Sequence, residues 1–281
     1  MKLVSYFLPK SSQKSYGILN DNGVVDIGLR ASAKFPDLKA VLQAGALDAV
    51  AVFANQPADY AATELDYLPV IENPGKLFCV GMNYADKRRE FCETIDAPTL
   101  FVRFPDSLTG QGCPVLKPRS SEEFDYEGEL AVVIGRHASC VSRDEALSYV
   151  AGYSCFMDGS ARDMQYTWFT AGKNWVKTGA FGPYLVTTDE IPDPNELTIQ
   201  TFLNGMMVQN DNTGNMMRSV PELIEYISAF SPLSPGDVVI TGSPGGVGKK
   251  RTPPLFMKHG DQIEVVIEKI GRLSNPINQA A

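Results

Sequence analysis

Apolar residues alternate with polar ones or gather in short blocks along most of this chain, and sustained helical spacing is scarce. Blocks of strand character fall at 3–8 and 15–19, and Asn20-Asp21-Asn22-Gly23 follows them as a hairpin signal. Further strands are predicted at 77–80, 99–103, 129–134, 184–187, 198–203, 237–241 and 262–267. Helical spacing appears at 37–55, interrupted by Gly45, and near 84–91, 143–150 and 219–230. The last has the clearest start signal: Ser219 as N-cap, Pro221 in the first turn and Glu222 three residues after the cap. Leu223, Ile224, Ile227 and Phe230 then form its predicted buried stripe. Glu72-Asn73-Pro74-Gly75 punctuates the chain, which divides on this reading into a small N-terminal α/β domain, 1–72, and a larger domain, 73–281. Many irregularly spaced strands with few helices imply an α+β fold of curled or sandwiched sheets rather than a Rossmann fold.

Composition narrows the partners. With 281 residues, 44% of them hydrophobic, the chain can bury a large core. A formal net charge of −8 argues against nucleic acid or an anionic membrane surface as a partner. No apolar run reaches the length of a membrane span, and Met1-Lys2-Leu3-Val4-Ser5-Tyr6 lacks signal-peptide character. The five cysteines, Cys79, Cys92, Cys113, Cys140 and Cys155, are irregularly spaced and read as reduced thiols of a cytoplasmic protein.

Three segments carry candidate chemistry. In Asp125-Tyr126-Glu127-Gly128-Glu129-Leu130, a strand places Glu127 and Glu129 on one face, and Gly128 leaves room for something to approach the backbone. Two like charges there repel unless one is protonated or a cation lies between them, so the pair reads either as a metal clamp or as a solvated strand face. With only His137 and His259 in the chain, any metal is expected on oxygen ligands, which favours Mg²⁺, Mn²⁺ or Ca²⁺. In the second segment Asp158 closes a strand-like run and is a possible third ligand. Ser160 with Asp163 resembles the cap of a short helix, and Arg162 offers a planar donor; an Asp-Gly turn with a surface Arg-Asp pair is the alternative. The third, Thr241-Gly242-Ser243-Pro244-Gly245-Gly246-Val247-Gly248, follows a strand and either presents backbone N–H groups to an anion or is a tight loop without a ligand. It fits neither a Walker loop nor G-x-G-x-x-G.

Taken together, these segments resemble the fumarylacetoacetate hydrolase family. The resemblance runs in order through Cys79-Val80-Gly81-Met82-Asn83-Tyr84, the Asp125 segment, Asp158-Gly159-Ser160-Ala161-Arg162-Asp163, Gly172-Lys173-Asn174-Trp175 and Gly182-Pro183. It closes with Pro235-Gly236-Asp237, the 241–248 loop and Gly271-Arg272-Leu273-Ser274-Asn275, and spans about residues 74–277. It implies a mixed β-sandwich or β-roll catalytic domain and a homodimer. It also implies Glu127, Glu129 and Asp158 as Mg²⁺ or Mn²⁺ ligands and a small 2-oxo acid, typically an acylpyruvate, as substrate. By the same resemblance Lys173 and Arg162 neutralise and orient the oxo acid, while Ser243, Gln165 and Tyr84 help to bind it.

One departure bears on the reaction. Many relatives carry Asn-Tyr-x-x-His with Glu three residues later, a water-activating pair on a lid helix. Here Asn83-Tyr84-Ala85-Asp86-Lys87-Arg88-Arg89-Glu90 keeps the glutamate, Glu90, and puts Lys87 at the histidine position. Either Glu90 acts as base alone, with Lys87 stabilising negative charge, or hydrolysis is weak and decarboxylation or isomerisation dominates; a solvated basic helix face is the plain alternative for Lys87, Arg88 and Arg89. The expectation placed first is a metal-dependent acylpyruvate hydrolase acting on a short dicarboxylic substrate such as maleylpyruvate or fumarylpyruvate. Lys87, Arg88, Arg89 and Arg103 are the candidate receivers of its distal carboxylate. Behind it stand an oxaloacetate decarboxylase or diene-dioate isomerase, and a catalytically silent oxo-acid-binding protein.

Overall fold

The computed structural model describes residues 1–281 apart from Ile95 and Thr167. Its architecture is α+β, dominated by sheet. The largest sheet has 11 strands. Its main path runs Gly23–Asp26, Lys14–Asn20, Lys2–Phe7, Gly179–Thr187, Val150–Asp158, Gly128–Ile134, Val238–Ile240, Leu77–Gly81, Thr99–Val102. The N-terminal hairpin therefore extends the sheet that carries the central strands, through antiparallel pairing of Leu3 with Leu185. A second sheet of five strands runs Met206–Asn212, Thr198–Leu203, Gln262–Ile267, Gly271–Gln279, Val115–Lys117.

Burial on both faces explains why the central strands are apolar without a break. In Gly128–Ile134 every residue is buried. Leu130, Val132 and Ile134 pack with Ile199, Leu203, Val265 and Leu273 of the second sheet. Ala131 and Val133 face the other way, into a core with Phe156, Leu185, Phe101 and the apolar sides of Leu38, Val41 and Leu42. The period of two along the strand then dictates where the glutamates go. Glu127 and Glu129 share the face of Ala131 and Val133. Gly128 turns toward the second sheet, where its N–H donates to Gln209 Oε1 at 2.9 Å.

What approaches Gly128 is therefore the second sheet and not a ligand. A Cβ at this position would overlap the buried Thr201 Oγ1. Gly128→Ala is expected to destabilise the fold by about 1–3 kcal/mol, the usual cost of overpacking a close-packed core. A urea titration in which this variant keeps the parent midpoint would show that the two sheets part without cost.

Local signals held unevenly. The capping box at Ser219 and Glu222 forms, with Ser219 N–H donating to Glu222 Oε2 at 2.8 Å, and the helix runs Val220–Phe230. Its buried stripe is Val220, Leu223, Ile224 and Ile227; Phe230, expected in it, is 57% exposed and stacks edge-on with Phe78. The 37–55 region breaks into helices Leu38–Gln43 and Leu47–Ala51, with Gly45 between them at φ +59. The predicted helix at 143–150 is only a 3-10 turn, Ala146–Tyr149, because Val150 already belongs to the strand Val150–Asp158. Pairing of that strand on both sides outweighs the local helical spacing.

Candidate metal centre and its lid

The site forms where strand ends converge on the core face that carries Ala131 and Val133. Val150–Asp158 ends beside the start of Gly128–Ile134, so Asp158 lies against Glu127 and its N–H donates to Glu127 O at 2.8 Å. On the far side of Gly128–Ile134, Val238–Ile240 leads into the glycine-rich loop. Next to it Leu77–Gly81 leads into the short helix Ala85–Phe91, which we term the lid helix.

One carboxylate oxygen from each of Glu127, Glu129 and Asp158 lies within 4.8 Å of the other two, and all three residues are buried. Hard oxygen donors at this spacing suit a Mg²⁺-, Mn²⁺- or Ca²⁺-sized ion. The electrostatics of the three acids differ sharply. Burial alone would raise the Glu127 pKa, but Arg162, Lys173 and Lys87 outweigh it and hold the carboxyl well below its ordinary range. Glu129 is pushed well above that range, first by burial and then by the neighbouring Asp158 and Glu127 charges. It accepts from Gly242 N–H at 2.7 Å, and among the described residues no cation forms an ion pair with it. A divalent cation touching Glu129 would offset this repulsion, and on that ground the residues fit a metal ion.

The cations around the acids divide into distinct roles. Lys173 bridges Glu127 and Asp158, at 2.5 Å from Asp158 Oδ2. Arg162 Nε donates to Asp125 Oδ2 at 2.9 Å, and its Nη2 lies 3.0 Å from Glu127 Oε1 without hydrogen-bond geometry. Lys87, 3% exposed, reaches down from the lid to Glu127 Oε1 and donates to Ser243 Oγ at 2.9 Å. It is therefore not on a solvated helix face. Arg89 is exposed, and with Arg88 it lines a shallow surface hollow beside Cys92 and Met217.

Arg103 lies elsewhere than a receiver of substrate carboxylate would. Its fully buried guanidinium donates through Nε to Asp158 Oδ1 at 2.7 Å and through Nη2 to Gly159 O at 2.8 Å. It orients the acid from behind, as an outer partner of a would-be ligand. Gln165 is half-buried, with an Nε2 that has no hydrogen-bond partner among the described residues. Tyr84 is fully buried at the start of the lid, its hydroxyl also without a partner. Its phenol is pushed up first by burial, then by Asp211, Glu129 and Asp86. Ser160 and Asp163 do not form a helix cap: Ser160 donates to Glu127 Oε2 at 3.2 Å, and Asp163 accepts from Ser121 Oγ at 2.6 Å.

Amides of the glycine-rich loop do meet anions, but the anions are the protein's own carboxylates. Asp86 Oδ2 accepts from Gly245 N–H at 3.0 Å and Glu90 Oε1 from Gly246 N–H at 2.7 Å, which fastens the lid helix to the loop. Asp125 Oδ1 accepts from Gly248 N–H at 2.7 Å. A Cβ on Gly248 would overlap Leu255 O, so only glycine fits there. Sequence reasoning passed over Asp125 and Asp86 as site residues. Asp125 opens the most conspicuous acidic motif, and Asp86 is one helical turn from Glu90; both signals were available. His137 and His259 are both exposed and stand outside the site.

Comparison with known proteins agrees with this architecture. Residues 76–278 match the model of the fumarylacetoacetate (FAA) hydrolase C-terminal domain. A mitochondrial oxaloacetate tautomerase of Bos taurus is 35% identical over 289 residues, covering 99% of this chain and 91% of the relative. A Xenopus laevis oxaloacetate tautomerase is 40% identical over 222 residues, covering 76% of this chain and 69% of the relative. Among solved structures, the fumarylacetoacetate hydrolase of Exiguobacterium antarcticum superposes with a TM-score of 0.88 at 30% identity, both chains covered in full. The chain belongs to the fumarylacetoacetate hydrolase family.

Proposed function

We propose that this protein is a divalent-metal-dependent isomerase of 2-oxo acids that interconverts the keto and enol forms of oxaloacetate. The observation that carries the proposal is the lid. It delivers the ammonium of Lys87 onto Glu127 and Ser243, and neither histidine of the chain reaches the site to serve as base for attacking water. Isomerisation needs no water. The C3–H bond breaks, its electron pair becomes the C2=C3 bond, and the C2 oxygen takes up a proton, so that proton count and charge balance. Glu90 offers the proton acceptor, because its Oε2 is buried without a partner among the described residues while Oε1 is tied to Gly246. Lys87 and Lys173 place positive charge where the oxygen becomes electron-rich. A cation held by Glu127, Glu129 and Asp158 supplies Lewis-acid polarisation of the 2-oxo group when bound.

Acylpyruvate hydrolysis, the expectation placed first from sequence, asks for an activated water, and the lid geometry gives it less support than isomerisation. The names of the two tautomerase relatives favour the same order. With Mg²⁺ or Mn²⁺ present, the protein is expected to accelerate decay of the ultraviolet enol band of freshly dissolved oxaloacetate. The rate should vanish in EDTA and return with added metal. Release of pyruvate from acylpyruvates at a comparable rate, with no effect on oxaloacetate, would reject the proposal.

A further inference from the structure

We propose that Gln209 is a positioning residue for the centre: one buried amide, reaching in from the second sheet, fixes the acid-bearing strand on one side and the loop that fastens the lid on the other. The inference rests on the metal-centre reading above and adds to it the side chain that sets strand and lid against each other.

A bulge brings Gln209 inward. Along Met206–Asn212 the pairing steps from Thr201 with Gln209 to Phe202 with Met207, which leaves Val208 as an extra residue. Regular alternation would put Val208 and Gln209 on opposite faces, yet both are buried, between the exposed Met207 and Asn210. A glutamine only 3% exposed needs partners for its donor and its acceptor. Those it finds among the described residues are main-chain groups that flank the site. Oε1 accepts from Gly128 N–H, the amide between the two glutamates, at 2.9 Å. Nε2 donates to Pro244 O at 2.8 Å and lies 3.5 Å from Gly245 O. Turned over, the side chain would set Nε2 against an N–H and Oε1 against two carbonyls, so the network fixes its orientation.

Those two carbonyls belong to the peptide groups whose N–H ends hold the lid. Pro244 O and Gly245 N share one peptide plane, and its N–H meets Asp86. Gly245 O and Gly246 N share the next, and its N–H meets Glu90. A donor at the oxygen of a peptide group polarises it and strengthens the hydrogen bond made by its N–H. Gln209 therefore acts on Asp86 and Glu90 through the loop without touching either. Its other end holds the pleat at Gly128, which points Glu127 and Glu129 away from the second sheet. Little slack surrounds these contacts: a Cβ on Gly246 would overlap Val208 O, and one on Gly128 would overlap Thr201 Oγ1. Methionine, of similar length and apolar, would fill the space and serve neither end.

Two variants separate the ends. Gln209→Glu keeps an oxygen for Gly128 N–H but turns a second oxygen toward the loop carbonyls, whereas Gln209→Met gives up both sides. Hydrogen–deuterium exchange of the metal-free protein is read over residues 84–93 and 241–248. It is expected to quicken about 10-fold there in both variants, the scale of a weakened charge-assisted hydrogen bond, while the distant hairpin at 2–20 keeps the parent rates. Mn²⁺ affinity, measured by electron paramagnetic resonance, should fall about 10-fold in Gln209→Met, a usual cost of losing an outer partner of a metal ligand. It should not fall in Gln209→Glu. If Gln209→Met does not fold, exchange in Gln209→Glu decides the matter. Parent exchange rates in the lid and loop of Gln209→Glu, faster exchange spread evenly over the chain, or equal loss of Mn²⁺ binding in both variants would overturn the role. Neither readout uses turnover, so a protein that shows this split without isomerising oxaloacetate would keep the positioning residue and remove the proposed reaction.

Discussion

Glu127→Gln is expected to lose about 3–5 kcal/mol of folding stability, the range for removing one partner of a buried ion pair, together with metal binding. Three cations depend on this carboxylate: Lys87, Lys173 and Arg162. Glutamine keeps the shape but withdraws the charge, and it turns an amide N–H₂ toward at least one of those donors. Asp158 and Asp125 still serve Lys173 and Arg162, so the loss falls hardest on Lys87 and on closure of the lid. The pH dependence gives the prediction a sign. The folded pKa of Glu127 lies below its unfolded value, so its stabilisation is present above the ordinary carboxylate range and fades as pH falls through the folded value. The gap between parent and variant in urea titrations should therefore be widest near neutral pH and narrow in acid. A variant as stable as the parent at neutral pH would show that the cations are balanced by other groups.

The face shared by Glu127 and Glu129 was legible from sequence because strand periodicity alone decides it, and the apolar run from Ala131 left little doubt about the strand. Asp158 was legible as the end of a strand-like run, though its position against Glu127 depends on register between strands. Arg103 was not legible. A guanidinium that orients an acid 55 residues away looks, in one dimension, like any basic residue at the end of a strand. Lys87 was ambiguous for a different reason. It sits in a run of three basic residues on a seven-residue helix, and only tertiary packing decides which of them turns inward. The glycine-rich loop was left open between a place where backbone N–H groups meet an anion and a tight loop without a ligand, and its amides do meet anions, all of them side chains of this chain. That the anions are Asp86, Glu90, Asp125 and Glu129 follows from which elements crowd around the loop, which spacing along the chain does not encode.

Glu129→Gln, a chemically identical change two residues along, is expected to act on stability in the opposite direction. Burial and the nearby Asp158 and Glu127 charges raise the folded pKa of Glu129 above its unfolded value. Such a group favours the fold fully only below its unfolded pKa, and that favour is lost as pH rises through the folded value. At neutral pH without added metal, glutamine removes the repulsion and retains an oxygen to accept from Gly242 N–H, so the variant should melt above the parent. Adding Mn²⁺ should reverse the order. A ligand that binds only the folded state stabilises it by about 2.7 kcal/mol at a hundred times its dissociation constant, and the parent gains this while the variant does not. Metal-dependent turnover should fall by more than about 100-fold, beyond the usual effect of altering an outer partner of a metal ligand. Thermal midpoints of both proteins in EDTA and in Mn²⁺ test the whole argument. A variant less stable than the parent in EDTA would refute the electrostatic account of Glu129, and one that Mn²⁺ still stabilises would remove Glu129 from the metal site. The pair Glu127 and Glu129 thus divides the work of the centre. One acid holds the surrounding cations in place, and the other is left under repulsion that a bound cation offsets.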